Sequence, residues 1–327
     1  MPKIIRLLPT IWILFSVYSS CNVLNDDNTE GELKEKINIA QSIITSDNNN
    51  HVQTENISFD IKTGLSIQKL THDGQLRSFL LYIPEDYSSK NKYPLMLNFH
   101  GFGGTAENHM KNADMRNLAE SNQFILVYPQ GTLLGGLPHW NPDPIAEGNK
   151  STTNDLGFVD ELIKNLNSNI NIDLTRVYAC GYSNGGFFSY GLACNLSDKI
   201  AAIGSVAGTM IDNTFDSCNF SGPKAMINIH GTDDRIVPYS GTFGLKAIED
   251  VLNFWSNINQ AGIVSISENN NYERFEYKNS QGEGLVEHYK IIGGGHYWDD
   301  NEKYGGKTTS QIIWDFVSQF NLSGIID

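Results

Sequence analysis

Short apolar runs, each ending at a glycine-containing loop, alternate with helix-period segments along most of this 327-residue chain. That alternation demands a mostly parallel sheet wrapped by helices. The runs are Pro94 to Phe99, Phe124 to Tyr128, Arg176 to Cys180, Ile203 to Ala207 and Ala225 to Ile229. Helices are expected over Met110 to Asn122 and over Asp155 to Leu166, where Phe158, Leu162, Ile163 and Leu166 share a face. A last helix, from about Thr309 to Phe320, places Ile312, Ile313, Phe316, Val317 and Phe320 on one stripe. Ahead of these, two-residue alternation begins near Ile57, and His72-Asp73-Gly74 separates two strand-like runs, the second being Phe79 to Ile83. An antiparallel hairpin therefore opens an α/β domain, and chemistry in such sheets gathers at the carboxyl ends of the strands.

The first residues stand outside that domain. Lys3 and Arg6 precede an apolar stretch, Leu7 to Tyr18, of 12 residues, too short to span a bilayer, which reads as an export signal. It ends in Ser19, Ser20 and Cys21, small residues before a cysteine as bacterial lipoprotein processing requires. Cys21 is the lipidation candidate; Tyr18 stands where such signals usually carry an aliphatic residue, so plain cleavage is the alternative. The expected organisation is a signal peptide over 1–21, an Asn-, Asp- and Glu-rich spacer over 22–55 and one catalytic domain over 56–327. With Lys3 and Arg6 removed, 21 basic residues face 37 acidic ones, a formal charge of −16. A surface of that sign repels polyanions, so nucleic acid is not an expected partner. Membrane contact is expected through the lipid anchor alone, and the chain is expected to be a monomer. Cys194 and Cys218 lie near expected surface loops or helix ends, whereas Cys180 lies in a buried strand, so export predicts a Cys194–Cys218 disulfide. Neither paired CxxC motifs nor HExxH occur, and no metal or cofactor is expected.

Gly181-Tyr182-Ser183-Asn184-Gly185 fits GxSxG directly after an expected strand and before a helix beginning near Gly186. Small flanking residues let a serine stand on a sharp strand-to-helix turn, which makes Ser183 the candidate nucleophile. A glycine-rich turn with a capping serine would share the pattern, and the further elements decide. His296, within Gly293-Gly294-Gly295-His296-Tyr297-Trp298 before the last helix, is the best placed of eight histidines to act as base. A carboxylate must orient it, and Asp233 and Asp234, in the segment after Ala225 to Ile229, both qualify. The order Ser, Asp, His is that of the α/β-hydrolase fold. An oxyanion needs backbone amides: one from Asn184, and one from Phe102 or Gly103 in His100-Gly101-Phe102-Gly103-Gly104. A phosphate loop would need GxxxxGKS/T or GxGxxG, and neither stands there.

The ordered set HGFGG at His100, DLGF at Asp155, RVYACGYSNGG at Arg176, HGTDDRIVPY at His230 and GGGHYW at Gly293 resembles the poly(3-hydroxybutyrate) depolymerase-like and feruloyl esterase family, over about residues 65–322. The resemblance implies a secreted α/β-hydrolase that cuts esters on polymers, and its HGTxDxxVPY pattern assigns the acid to Asp234. Asp299 replaces the proline that commonly follows the family's His-x-Trp. Only a short loop is expected between Ala207 and Ala225, so no large helical cap is built and the cleft stays open. Trp140, Tyr182, Tyr297 and Trp298 are the candidates for aromatic walls, against the commoner fate of core packing. The expected function is an exported serine esterase acting on acylated plant cell-wall polysaccharide, feruloyl or acetyl xylan, with polyester depolymerase as the alternative. A prolyl oligopeptidase-like peptidase is less favoured, because no propeller-sized region precedes the domain. A surface-tethered binding module on a dead hydrolase is disfavoured by the complete set of catalytic residue types.

Overall fold

The computed structural model describes residues 61–146, 150–220 and 222–326, all within the compact unit Ile57–Asp327. The expected leader, the spacer and Cys21 lie outside the described residues. Strands β1 (Gly64–His72) and β2 (Gln75–Ile83) form the opening hairpin, with His72 opposite Gln75. Positive φ at Asp73 (48°) and Gly74 (73°) gives the turn the twist that two-residue hairpins favour.

The centre of the sheet is parallel. Strands β3 (Tyr93–Phe99) and β4 (Ile125–Pro129) pair with each other, and β3 pairs on its other side with β7 (Ile172–Tyr182). Beyond it follow β8 (Ala202–Val206), β9 (Ala225–Gly231) and β12 (Gly284–Ile291). Every residue of β3, β4, β8 and β9 is buried, which accounts for their near-continuous apolar runs. Antiparallel β10 (Gly262–Glu268) and β11 (Tyr272–Lys278) extend the far edge, so ten strands run β1-β2-β4-β3-β7-β8-β9-β12-β11-β10. The edge was hidden in the sequence because β11, which carries Glu273, Arg274 and Glu276, is not an apolar run; two of these charges pair with the neighbouring β12, Arg274 with Glu287 at 2.6 Å and Glu273 with Lys290 at 2.9 Å. Two short pairs stand apart: β5 (Thr132–Leu134) with β6 (Leu137–His139), and β13 (Phe320–Asn321) with β14 (Gly324–Ile325).

Helices cover both faces. On one side lie α3 (Asp155–Asn169), α4 (Asn184–Asn195) and α6 (Ile248–Ile258), packed around Leu95, Leu97, Phe99 and Val127. Opposite are α1 (Ala106–Asn112), α2 (Arg116–Asn122) and α7 (Thr309–Val317), packed around Met96, Leu126 and Ile227. Helix α7 starts on a capping box between Thr308 and Gln311, and its buried Ile312, Ile313, Phe316 and Val317 each contribute about 1.5–3 kcal/mol by leaving water. The single helix expected over 110–122 is instead two. The Tyr128 hydroxyl accepts the Met115 amide at 3.0 Å and donates to the Ala113 carbonyl at 2.6 Å, drawing the backbone between them out of a continuous helical ladder. Between β8 and β9 stands only the six-residue α5 (Asp212–Ser217), too small to form a cap. Cys194, in the last turn of α4, is bonded to Cys218, the residue after α5, and Cys180 is a buried free thiol.

Candidate active site

Ser183 stands between β7 and α4 at φ 53°, ψ −117°, a conformation that L residues rarely adopt. The turn closes only because its neighbours lack side chains. A Cβ on Gly185 would lie 2.1 Å from the Phe99 carbonyl oxygen, and one on Gly181 would lie 2.4 Å from the Gly185 carbonyl carbon. The Ser183 amide is held by the Val206 carbonyl at 2.9 Å, and the residue is 9% exposed.

His296 Nε2 lies 2.9 Å from Ser183 Oγ, and His296 Nδ1 lies 2.7 Å from Asp234 Oδ2. Residues 183, 234 and 296 thus meet at the carboxyl ends of β7, β9 and β12, joined Ser-to-His-to-Asp. Asp234 is buried, and its Oδ1 accepts the Ile236 and Val237 amides at 2.9 Å each. Burial alone would raise its pKa. Hydrogen bonds from His230 and His296, the His296 charge and the Val237 amide outweigh burial and hold the carboxyl below its usual range, so it stays ionised. Asp233, by contrast, is exposed, and its amide donates to Gly294 O at 2.9 Å. The two loops interlock here: Thr232 N–H donates to Ile291 O at 2.9 Å, and Gly293 N–H donates to Thr232 Oγ1 at 2.8 Å.

Of the two amides considered beside Asn184, one is engaged elsewhere. Gly103 N–H donates to Pro138 O at 2.7 Å, so that amide is not free to meet an oxyanion, and Gly103 is corrected to a turn residue with φ 75°. His100 is structural: its Nδ1–H donates to Gly101 O at 2.7 Å, and its Nε2 accepts the Gly131 amide at 3.0 Å. Burial brings its pKa down to about 4, keeping it neutral.

Two of the four expected aromatic walls are corrected by burial. Trp140 is 1% exposed, stacked on Phe188 with ring centroids 5.1 Å apart and edge-on to Phe99. Trp298 is 8% exposed, edge-on to His109 at 5.6 Å, with its Nε1–H on Ser310 Oγ at 3.3 Å. Rings buried to that degree have little surface left for a ligand. Tyr182 is half-buried and engaged with the base: its hydroxyl donates to His296 O at 2.8 Å and its ring sits 5.0 Å from the imidazole. Tyr297, 45% exposed, keeps a free face at the rim. Sequence reasoning missed the buried pair Arg77–Asp155 at 2.8 Å, whose second carboxylate oxygen accepts the Asn141 amide at 2.8 Å and pins the loop below Trp140. The signal available was DLGF at Asp155, a motif without an assigned role. Among the described residues no three His, Cys, Asp or Glu side chains gather to hold a metal ion.

A serine hydroxyl on a strained turn, a histidine within hydrogen-bond reach and an ionised acid behind it form the constellation of acyl transfer. Comparison with known proteins gives the same direction. A bifunctional acetylxylan esterase/xylanase of Neocallimastix patriciarum is 29% identical over 252 residues, 77% of this chain and 34% of its own length. Feruloyl esterase B of Piromyces equi is 27% identical over 75% of this chain and 46% of its own length, so the chain spans less than half of either relative. The acetyl xylan esterase of Aspergillus awamori shares the fold, with a TM-score of 0.55 at 15% identity over 71% of this chain and 94% of that one. Residues 73–300 match the Esterase family, described as "Putative esterase", and with that stretch spanning most of the chain, the protein belongs to this esterase family.

Proposed function

We propose that the protein is an exported serine carboxylic ester hydrolase that acts through an acyl-enzyme on esters of plant cell-wall polysaccharide. The observation that carries the reading is the Ser183–His296–Asp234 relay, at 2.9 and 2.7 Å, on a strained elbow. Ser183 Oγ attacks the acyl carbonyl carbon while His296 Nε2 takes its proton, and the Asp234 carboxylate steadies the imidazolium that forms. The oxyanion faces the amides of Asn184 and Phe102, each worth roughly 3 kcal/mol in such sites. His296 then returns the proton to the departing alcohol oxygen. Water, losing a proton to His296, attacks the acyl carbon, and release of the acid restores the Ser183 hydroxyl.

The printed activities of the relatives, acetylxylan and feruloyl ester hydrolysis, support the substrate class. The small α5 leaves no large helical cap between β8 and β9, which suits a substrate whose bulk stays outside the site, and the exposed Tyr297 stands beside His296. Export is supported by Lys3, Arg6 and the apolar Leu7 to Tyr18 stretch, and by a disulfide of the kind that persists in oxidising compartments. Lipid attachment is proposed at Cys21; Cys21→Ser would release a soluble form, whereas a mature protein carrying no acyl mass would favour plain secretion. The substrate test compares specificity constants on feruloylated and acetylated xylo-oligosaccharides and on hydroxybutyrate oligomers. The plant esters are expected to be preferred. A clear preference for hydroxybutyrate oligomers would overturn the substrate assignment in favour of a polyester.

A further inference from the structure

The segment 138–140 touches both sides of the oxyanion site. On the nucleophile side, Asn184 Oδ1 accepts the Trp140 amide at 2.7 Å and Asn184 Nδ2 donates to Trp140 O at 3.0 Å, a two-point clasp on one residue's backbone. On the other side, the Trp140 indole N–H donates to His100 O at 3.1 Å, and Pro138 O accepts the Gly103 amide at 2.7 Å. Those two bonds bracket Phe102 from before and behind. The segment is itself fixed from below: Asn141 N–H is held by Asp155, which Arg77 neutralises, and the Trp140 ring fills the slot between Phe99 and Phe188.

We propose that Trp140 and Asn184 are positioning residues that set the separation of the Phe102 and Asn184 amides through this clasp; the inference rests on Ser183 being the nucleophile. Hydrogen bonds between one buried segment and both donor-bearing loops, through its backbone and the Trp140 indole, have this consequence because an oxyanion is stabilised only by donors at a set distance from where the charge develops. The oxyanion exists in the transition state and not in the bound ester. Misplaced donors therefore lower kcat and leave KM largely alone. Were Trp140 merely a core ring, Phe in its place could lower stability but would leave the ratio of rates on an oxygen ester and its thionoester unchanged.

Trp140→Phe removes the indole donor and keeps an aromatic ring in the slot; Asn184→Ala removes both side-chain bonds and leaves the Asn184 backbone amide in place. Complete loss of one oxyanion donor costs about 10²–10³ in kcat, so displacement is expected to cost about tenfold, with KM changed less than about twofold. The decisive readout is the ratio of rates on nitrophenyl acetate and on the corresponding thionoester. Sulfur is larger and a weaker acceptor, so well-placed donors favour oxygen, and the ratio is expected to shrink in both variants. Unchanged kcat, a loss carried by KM, or an oxygen-to-sulfur ratio equal to the wild type's overturns the inference. If Trp140→Phe does not fold, as judged by its melting transition, Asn184→Ala decides by the same ratio. A wild-type protein unable to hydrolyse the oxygen ester would instead count against the proposed function itself.

Discussion

At Ser183 the chain holds a conformation that costs on the order of 1–3 kcal/mol, and the neighbouring glycines make it possible. The adjacent acids are separated by what their oxygens touch. Asp234 uses Oδ1 on two amides and Oδ2 on His296, whereas Asp233 faces solvent. Asp234→Asn is expected to lower kcat by roughly 10³–10⁴, as loss of the orienting carboxylate does in such triads, and Asp233→Asn by less than about threefold. Steady-state kinetics on a nitrophenyl ester checks this, and the reverse order would move the orienting role to Asp233. Spacing alone could not separate neighbouring acids; the family pattern pointed to the buried one. The tryptophans were illegible for another reason. Whether an aromatic in a loop lines a cleft or fills a core depends on distant partners, here Phe188 for Trp140 and His109 for Trp298. Gly103 was ambiguous for the same cause, since the carbonyl that occupies its amide, Pro138 O, comes from a segment 35 positions away.

Among the elements, the parallel strands were the most legible because strands buried on both faces must be apolar throughout. The β10–β11 edge and the break between α1 and α2 were not: β11 carries charges that pair with β12 in place of an apolar run, and the break is set by a tyrosine hydroxyl from β4. The Cys194–Cys218 bond joins the far end of α4 to the residue after α5, closing a separation of 24 residues. Replacing both cysteines by serine is expected to remove about 3 kcal/mol of stability by the loop-closure argument, measured by urea unfolding. Since Ser183 lies at the opposite end of α4, kcat should hold to within about twofold. A loss of turnover without a loss of stability would show that the bond acts on the elbow instead.

For the molecule as a whole, the formal charge of −14 disfavours polyanionic partners, and buried histidines are expected to limit its stability in acid. Burial lowers the pKa of His100 to about 4 and those of His109 and His288 to about 3. An unfolded chain protonates these groups below about pH 6.5 while the folded one does not, so they cost stability as pH falls from 6.5 towards 4. Near pH 5 the slope should approach three protons, about 4 kcal/mol per pH unit, visible as a falling urea midpoint. A midpoint unchanged between pH 6.5 and 5 would mean that these side chains are not buried neutral. The central claim, an acyl-enzyme on Ser183, is tested most directly by treating the active protein with a fluorophosphonate and mapping the adduct by mass spectrometry. One adduct is predicted, on the peptide containing Ser183, with hydrolysis lost in proportion and no labelling of Ser183→Ala. An active protein that takes no label, or one whose activity is lost through an adduct on a different residue, would contradict the account.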